Sequence, residues 1–345
     1  LVLLPHVDGW DVVAATADRL LQAIETPHAL GGAGEPQRVR ASIGIAMYPA
    51  DGADFDALAR AADLAMYRSK ELGRGRYSFY HADLDASFRH RLELERELAD
   101  AIEQRQLVLH YQAVVDASDG RVTGCEALVR WMHPRHGLLA PGAFIHVAEE
   151  AGLVPALGRW VLDAACAQLR AWKAAGAPPL QMAVNVSALQ LRQADFPDTV
   201  RHILQRHGIE PGELSLELTE STLLADGDGA LATVQRLREA GARLALDDFG
   251  TGYSSLSYLK RLRPDLLKID RSFVRDLPDD ADDCLLTQAI LGMAHALSIE
   301  VLAEGVETDA QRDWLLARGA RLQQGFLWAK PVPADEFEQR LRASA

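Results

Sequence analysis

Apolar and polar positions alternate along the chain with two spacings, one typical of buried strands and one typical of helices. After residue 106, short apolar runs predict strands over 107–115, 122–131, 182–187, 214–219, 244–248, 266–269, 301–304 and 322–325. Apolar residues spaced three and four positions apart predict helices over 141–152, 157–176, 198–207, 229–240, 254–261, 284–297 and 309–317. Strands that are mostly followed by helices favour an α/β fold built as a (β/α)8 barrel.

The first two predicted strands interrupt this alternation. No helix separates them, and Asp119-Gly120 between them is typical of a hairpin turn. We therefore expect an antiparallel pair at the start, and the pattern does not ensure a regular eightfold barrel.

The start of the chain has a different pattern. It predicts helices over 9–25 and 54–72 and strands over 39–47 and 77–80, which make an α+β region. Because the chain starts inside the apolar run Leu1-Val-Leu-Leu-Pro5, we expect this region to be incomplete.

A charged, leucine-rich segment over 82–106 places Phe88, Leu92, Leu98 and Ile102 on one face of a predicted helix. Two interpretations stay open, an ordinary amphipathic connector and a signalling helix that couples two domains. We expect a first domain over 1–81, a linker helix over 82–106 and a second domain over 107–345.

Composition excludes several classes of function. Of the 345 residues, 48% are hydrophobic and 25% are charged, which is typical of a globular protein. The net charge of -13 argues against binding to a nucleic-acid polymer or an anionic membrane. No apolar run approaches the roughly 20 residues that span a bilayer, so we expect no membrane contact by this chain. A longer parent protein could carry an upstream sensor or membrane segment.

Three widely spaced cysteines, Cys125, Cys166 and Cys284, indicate reduced packing residues in a cytoplasmic protein. Their spacing does not favour a zinc site.

Two adjacent acids form the most informative motif. The predicted strand over 244–248 ends in Asp247 and Asp248 and runs into a turn that contains Gly250 and Gly252. Two ionised carboxylates beside a buried strand cost several kcal/mol unless a cation or hydrogen bonds compensate them. A divalent metal ion would provide that compensation.

Other polar residues stand at the ends of the neighbouring predicted strands, which a barrel gathers at one mouth. They are Glu126, Asn185, Glu217, Lys268, Glu304 and Gln324. Oxygen ligands of this kind suit magnesium or manganese better than zinc. Taken singly, each acid is more often a helix cap or a surface residue, and Lys268 could extend its ammonium to solvent. The Asp-Phe-Gly triplet does not indicate a kinase, because the glycine-rich nucleotide loop and the His-Arg-Asp motif are missing.

Several sequence blocks follow one another in a characteristic order. They are Glu126-Ala-Leu128, Asn185-Val-Ser187, Glu217-Leu-Thr-Glu-Ser221, Asp247-Asp-Phe-Gly-Thr-Gly-Tyr-Ser-Ser255, Lys268-Ile-Asp270 and Ala303-Glu-Gly-Val-Glu-Thr308. With these blocks, residues 92–341 resemble the EAL family of cyclic di-GMP phosphodiesterases. The resemblance implies a TIM-like barrel with an antiparallel first strand, which agrees with the predicted hairpin.

The resemblance also implies a two-metal site. It makes Glu126, Asn185, Glu217 and Asp247 ligands of one cation, and Asp247, Asp248 and Glu304 ligands of a second. Magnesium or manganese is the expected metal, and calcium should inhibit because its longer bonds fit poorly. Lys268 would orient the attacking water, and Gln324 would assist at the second cation. Glu304 is also the candidate general base, a role that overlaps with its metal binding.

Further positions match the family's substrate and loop residues. Gln112, Leu128 and Arg130 match substrate contacts, although Arg130 could instead form a structural ion pair. Glu220 matches the residue that anchors the loop containing Asp248, Gly250 and Gly252. In the family this loop links the active site to a dimer interface, so we expect a homodimer through the second domain.

The segments Ala41-Ser-Ile-Gly-Ile-Ala46 and Ala62-Asp-Leu-Ala-Met-Tyr67 resemble the later part of a GGDEF diguanylate cyclase domain. The signature turn of that family is missing from the sequence, so we expect no synthesis of cyclic di-GMP by this chain.

The resemblance therefore implies that this chain hydrolyses cyclic di-GMP to linear pGpG. The alternative is a non-catalytic receptor for cyclic di-GMP, which would show missing ligands, and none is missing.

Overall fold

The fold is that of a computed structural model, which describes residues 1–5, 7, 9–26, 39–224, 228–250 and 256–343. The chain divides into two compact units, Leu1–Arg96 and Glu97–Ala345. Across the described residues, no helix combines the length and the apolar character that a membrane span requires.

The first unit is a small α/β layer. Its elements are α1 (Trp10–Glu25), β1 (Ile43–Ile45), α2 (Phe55–Glu71) and β2 (Tyr77–Phe79), and the two strands are parallel. Val13 and Ala17 of α1 pack against Ile45 of β1. Both strands are shorter than the sequence pattern predicts.

Helix α3 (Ala82–Glu103) runs across the division between the units. On the predicted apolar face, Leu98 is fully buried and Ile102 is half-buried. The side chains of Phe88 and Leu92 lie outside the described residues.

The second unit is a closed barrel of eight strands with one extra strand. The strands are β3 (Leu107–Asp116), β4 (Arg121–His133), β5 (Gly137–Leu139), β6 (Gln181–Asn185), β7 (Leu214–Thr219), β8 (Arg243–Phe249), β9 (Leu266–Ile269), β10 (Glu300–Ala303) and β11 (Leu322–Gln323). The ring order is β3-β11-β10-β9-β8-β7-β6-β4, and β4 pairs with β3 to close it. Strand β3 is antiparallel to both of its neighbours, and the other pairs in the ring are parallel. The predicted TIM-like barrel with an antiparallel first strand is therefore confirmed.

Helices connect successive strands from β5 onward, and one further helix follows the last strand. They are α4 (Ile145–Glu150), α5 (Val154–Ala174), α6 (Ala188–Leu191), α7 (Phe196–His207), α8 (Glu220–Leu224), α9 (Asp228–Glu239), α10 (Leu256–Leu262), α11 (Arg271–Val274), α12 (Ala281–Ala296), α13 (Asp309–Leu316) and α14 (Ala334–Ala343). The pattern missed β5 and the short helices α6, α8 and α11, which contain too few residues to show a period, and no helix was predicted over the ten residues of α14.

Side chains inside the barrel form layers, because successive residues of a strand point to opposite faces. Ala245, Leu266 and Leu302 form one apolar layer, with Val114 and Leu322 packed against it. Each of these five residues lies two positions from a predicted site residue on the same strand, or on the continuation of that strand. The apolar layer is therefore the floor beneath the site, and burying each large side chain in it contributes roughly 1.5–3 kcal/mol.

Candidate active site

The ammonium of Lys268 lies at the centre of an acidic cluster. Its Nζ is 2.7 Å from Glu304 Oε1, 2.8 Å from Glu217 Oε2 and 3.2 Å from Asp247 Oδ1. Glu126 Oε2 is 3.9 Å away. Because Lys268 is only 1% exposed, the alternative that it extends to solvent is wrong.

Two amide side chains hold the carboxylate of Glu126 from both sides. Asn185 Nδ2 donates to Glu126 Oε1 at 2.7 Å, and Gln324 Nε2 donates to Glu126 Oε2 at 2.8 Å. Gln324 Nε2 also donates to Gln112 Oε1 at 3.1 Å, and Gln112 Nε2 donates to the carbonyl oxygen of Ala329 at 3.1 Å. Both amides that donate to Glu126 thus turn their own carbonyl oxygens away from it. The oxygen of Gln324 is buried and has no hydrogen-bond partner among the residues that the structure describes.

A local irregularity brings two adjacent acids to the same mouth. In a regular strand, Asp247 and Asp248 would point to opposite faces. The pairing of β8 with β9 shifts register between Leu246 and Phe249, and Asp248 has a φ of 54°, which is uncommon for a residue other than glycine. Asp247, Asp248 and Glu304 therefore each offer an oxygen, and these oxygens lie within 4.8 Å of one another. Such backbone strain costs on the order of 1–3 kcal/mol and is concentrated at functional sites.

The cluster contains more negative than positive charge. Burial raises the pKa of Glu304 to about 7, because the neighbouring Asp247 and Glu126 add to the effect and Lys268 offsets it only in part. Burial and the neighbouring carboxylates likewise raise the pKa of Glu217 well above its ordinary value. For Glu126 the burial effect is outweighed by Lys268 and the two amides, so its pKa is lowered. In the metal-free cluster, burial and the neighbouring carboxylates therefore favour the protonated forms of Glu304 and Glu217.

The pKa values of Asp248 and Lys268 are also raised by the excess of negative charge in the cluster. Burial and the carboxylate of Asp247 raise the pKa of Asp248. Burial by itself would lower the pKa of Lys268, but the surrounding carboxylates raise it well above its ordinary value.

The residues present fit a divalent cation, because Asp247, Asp248 and Glu304 each offer an oxygen at the same mouth of the barrel. Four carboxylates lie within 4 Å of the ammonium of Lys268, and Asp248 adds a fifth to the cluster, so with all five ionised the cluster would carry four negative charges in excess of the ammonium. The available ligand atoms are oxygens, which magnesium and manganese prefer.

Strands β3 and β4 extend the mouth beyond the cluster. Gln112 pairs with Glu126, His110 with Leu128 and Val108 with Arg130 in the β3–β4 ladder. Leu128 and Arg130 lie two and four positions after Glu126, so they share its face of the strand. Both side chains are half-buried.

Arg130 Nη1 donates to the carbonyl oxygen of Val129 at 2.9 Å. Burial lowers the pKa of the Arg130 guanidinium, although the charge of Glu126 opposes this effect. Among the described residues, no carboxylate forms an ion pair with Arg130, which favours the substrate-contact interpretation over a structural ion pair.

The loop that is predicted to link the active site to a dimer interface begins directly after β8. Gly250 has a φ of 97°, and a Cβ at this position would lie 2.9 Å from Phe273 Cε2 and 3.5 Å from Ile290 Cδ1. The start of the loop is therefore packed against α11 and α12, and only glycine fits there. Glu220 is the half-buried first residue of α8. Gly252 lies outside the described residues.

One carboxylate near the cluster received no role from the sequence. Asp270 contributes to the raised pKa of Asp248, and its own pKa is lowered because hydrogen bonds from Ser272 and the charge of Arg271 outweigh its burial. The sequence could have identified Asp270 as a site residue, because it lies two residues after Lys268, directly after the end of the same strand.

A pocket of about 770 Å³ lies at the other end of the barrel and contains none of the cluster residues. Its charged groups are largely paired with one another, since Arg243 Nη2 lies 3.0 Å from Glu300 Oε2 and Arg321 Nη2 lies 2.6 Å from Asp116 Oδ2. Pairs at this face of a barrel are typically structural.

Comparison with known families and proteins agrees with this geometry. The EAL domain profile matches residues 95–331, and the profile of the diguanylate cyclase GGDEF domain matches residues 1–76. The chain is similar to the bifunctional diguanylate cyclase/cyclic di-GMP phosphodiesterase MucR of Pseudomonas aeruginosa, with 45% identity over 94% of this chain and 47% of MucR. It is also similar to the cyclic di-GMP phosphodiesterase PdeR of Escherichia coli, with 40% identity over 98% of this chain and 50% of PdeR. The chain thus spans about half the length of these relatives.

A solved structure of the PaMucR phosphodiesterase in complex with c-di-GMP is similar to the barrel. It shares 48% sequence identity and a TM-score of 0.68, and the match covers 71% of this chain and 99% of that one.

Proposed function

Since the chain belongs to the EAL family, we propose that it hydrolyses cyclic di-GMP to linear pGpG with the aid of two divalent cations. The observation that carries this proposal is the set of four carboxylates around the buried ammonium of Lys268, together with the two amides that donate to one of them, Glu126. A relative of similar sequence is named as a cyclic di-GMP phosphodiesterase, and another was solved with c-di-GMP. Both support this substrate.

The proposed ligands divide into two sets that share Asp247. The first cation would be held by Glu126, Asn185, Glu217 and Asp247, and the second by Asp247, Asp248 and Glu304. Two bound cations of this kind supply positive charge that lowers the pKa of the attacking water and offsets charge on the phosphate. Magnesium and manganese suit these ligands, and calcium should inhibit.

The protein's own side chains would accept a proton from the attacking water and orient that water by hydrogen bonds. Glu304 is suited to accept a proton from water, because burial and the neighbouring carboxylates raise the pKa of its carboxyl in the metal-free cluster. The unpartnered carbonyl oxygen of Gln324 can accept a hydrogen bond from the same water. The ammonium of Lys268 can donate to the water or to the phosphate as negative charge develops. The water oxygen bonds to phosphorus while one P–O3′ ester bond breaks, which leaves a 5′-phosphate and a free 3′-hydroxyl.

The extended β3–β4 pair would bind the rest of the substrate. The Arg130 guanidinium can donate two parallel hydrogen bonds to a phosphate. Gln112 is held in place by Gln324 and the carbonyl group of Ala329, and Leu128 offers apolar contact.

We further propose a homodimer formed through the barrel, with α12 in the interface. Leu285 and Leu286 are 71% and 47% exposed, which is unusual for adjacent apolar residues on one helix. The same helix contacts the start of the loop through Ile290, beside Gly250. Dimer geometry would therefore act on the loop that contains Asp248, with Glu220 as its anchor. A cytoplasmic location is also proposed, and the three free cysteines support it.

The deciding experiment incubates the purified chain with cyclic di-GMP and Mg²⁺ or Mn²⁺ and follows pGpG by chromatography. We expect turnover with either metal and none with Ca²⁺ alone. The variant Glu126→Ala should lose about 10³-fold or more in rate, because a metal contributes several kcal/mol of charge stabilisation. Binding of cyclic di-GMP without turnover by the wild-type chain would favour the receptor alternative, and near-normal rates in Glu126→Ala would refute the metal assignment.

A further inference from the structure

A buried glutamine, Gln190, lies just beyond the strand end that carries Asn185. Gln190 is only 3% exposed, although glutamine is mostly a surface residue. Strand β6 ends at Asn185, and helix α6 begins at Ala188. Gln190 therefore belongs to the short helix that follows a proposed metal ligand.

Gln190 and Ser187 form a reciprocal capping box. Gln190 Oε1 accepts a hydrogen bond from the backbone N–H of Ser187 at 3.2 Å, and Ser187 Oγ accepts one from the backbone N–H of Gln190 at 3.2 Å. Helix α6 has only four residues, so its own backbone hydrogen bonds are too few to hold it. The capping box thus fixes the backbone two residues beyond Asn185.

A glycine in the neighbouring helix makes room for Gln190. A Cβ at Gly158 would overlap the Nε2 and Cδ atoms of Gln190. Gly158 lies inside the 21-residue helix α5, where glycine is otherwise unfavourable. The contact between Gly158 and Gln190 explains this glycine.

The strand end at Asn185 is therefore held from two sides. On the barrel side, the backbone N–H of Val186 donates to the carbonyl oxygen of Glu217 at 2.9 Å. On the helix side, the capping box holds Ser187. Between them, Asn185 can donate to Glu126 at 2.7 Å and leave its own carbonyl oxygen available to a cation.

We propose that Gln190 is a positioning residue for the first cation, and that Gly158 provides the space it needs. This inference rests on the proposed function, because it takes Asn185 as a metal ligand. Groups just outside a metal's ligands orient those ligands, and their loss typically weakens metal affinity by about 10–100-fold.

The test measures Mn²⁺ binding by calorimetry on the substrate-free chain, together with the Mn²⁺-dependent rise in melting temperature. Gln190→Leu removes the acceptor at similar volume, and Gly158→Ala displaces Gln190 without deleting it. Both should weaken Mn²⁺ binding about tenfold or more. Gln190→Glu should bind as the wild type does, since capping boxes use glutamate or glutamine. Gly142→Ala is the control, because a Cβ there meets nothing within 4 Å.

A double-mutant cycle separates positioning from general stability. In an Asn185→Ala background, Gln190→Leu should cause no further loss of Mn²⁺ affinity, because the ligand that it positions is gone. If Gln190→Leu does not fold, the Mn²⁺ affinities of Gly158→Ala and Gln190→Glu are compared instead, and the weakening is expected only in Gly158→Ala.

Wild-type affinity in folded Gln190→Leu, equal weakening in Gln190→Glu, or full additivity in the cycle would each overturn the inference. Hydrolysis by the wild-type chain is assayed separately. A wild-type chain that binds Mn²⁺ without hydrolysing cyclic di-GMP would refute the proposed function and leave these comparisons valid.

Discussion

Replacing Lys268 with methionine tests how the protein holds its acidic cluster together. Lys268→Met keeps the length and apolar stem of the side chain and removes the only ammonium within 4 Å of the four carboxylates, among the residues that the structure describes. The remaining carboxylates would then repel one another in a buried site.

The expected loss of stability follows from the burial of this group. Removing one partner of a buried ion pair costs about 3–5 kcal/mol, because the other charge is left uncompensated. In a unit of this size, 1 kcal/mol shifts the melting temperature by about 2–4 °C. Lys268→Met should therefore lower the melting temperature of the metal-free protein by about 6–20 °C at pH 8.

The loss should shrink as the pH falls. The pKa of Lys268 is raised above its ordinary value, so the ammonium itself stays charged from pH 5 to pH 8. What changes over this range is the ionisation of Glu304 and Glu217, whose pKa values are raised. At pH 5 Glu304 is largely protonated and the raised pKa of Glu217 acts in the same direction, so the variant has fewer charges to compensate.

The assay is thermal unfolding in a chelator at pH 5 and pH 8. Lys173→Met is the matched control, because Lys173 Nζ also contacts two carboxylates, at 2.7 Å from Glu213 and 3.2 Å from Glu210. Its side chain is 46% exposed, so water replaces the lost contacts and the melting temperature should barely change. Equal shifts in the two variants, or a Lys268→Met shift that does not depend on pH, would refute the reasoning.

Three further predictions concern the cations, the substrate and the loop. Because Mn²⁺ needs the ionised form of Glu304, and the raised pKa values of Glu217 and Asp248 act in the same direction, Mn²⁺ affinity measured by calorimetry should fall by at least about tenfold per pH unit below pH 7, and Glu304→Gln should reduce this slope. Arg130→Ala should raise the KM for cyclic di-GMP about 10–100-fold with a smaller change in kcat, since a hydrogen bond to a charged group is worth about 1.5–3 kcal/mol; an unchanged KM would exclude contact with the substrate. Gly250→Ala should cost about 1–3 kcal/mol in chemical denaturation, because its φ of 97° and the nearby Phe273 leave no room for a methyl group, whereas Gly142→Ala should be neutral.

The hydrophobic pattern determined most of the barrel. Strands and helices alternate visibly because their periods differ, and the turn at Asp119-Gly120 was enough to predict the antiparallel start. The ends of the strands were predicted less accurately than their existence. The strand predicted to include Glu304, for example, ends at Ala303. A strand end is set by where pairing with the neighbouring strand stops, and that depends on residues far away in the chain.

The sequence by itself also determined which chemical groups meet at the mouth, because strand order and a period of two bring the acids, Lys268 and the amides to one end of the barrel. Only the tertiary structure decided how they are arranged. The left-handed φ of Asp248, the unpartnered oxygen of Gln324 and the fit of Gln190 against Gly158 each depend on contacts between distant segments, as does the hydrogen bond from Gln112 to Ala329, 217 residues away. A local pattern fixes the face on which a side chain lies, but distances of 3 Å across the mouth depend on how the whole ring closes.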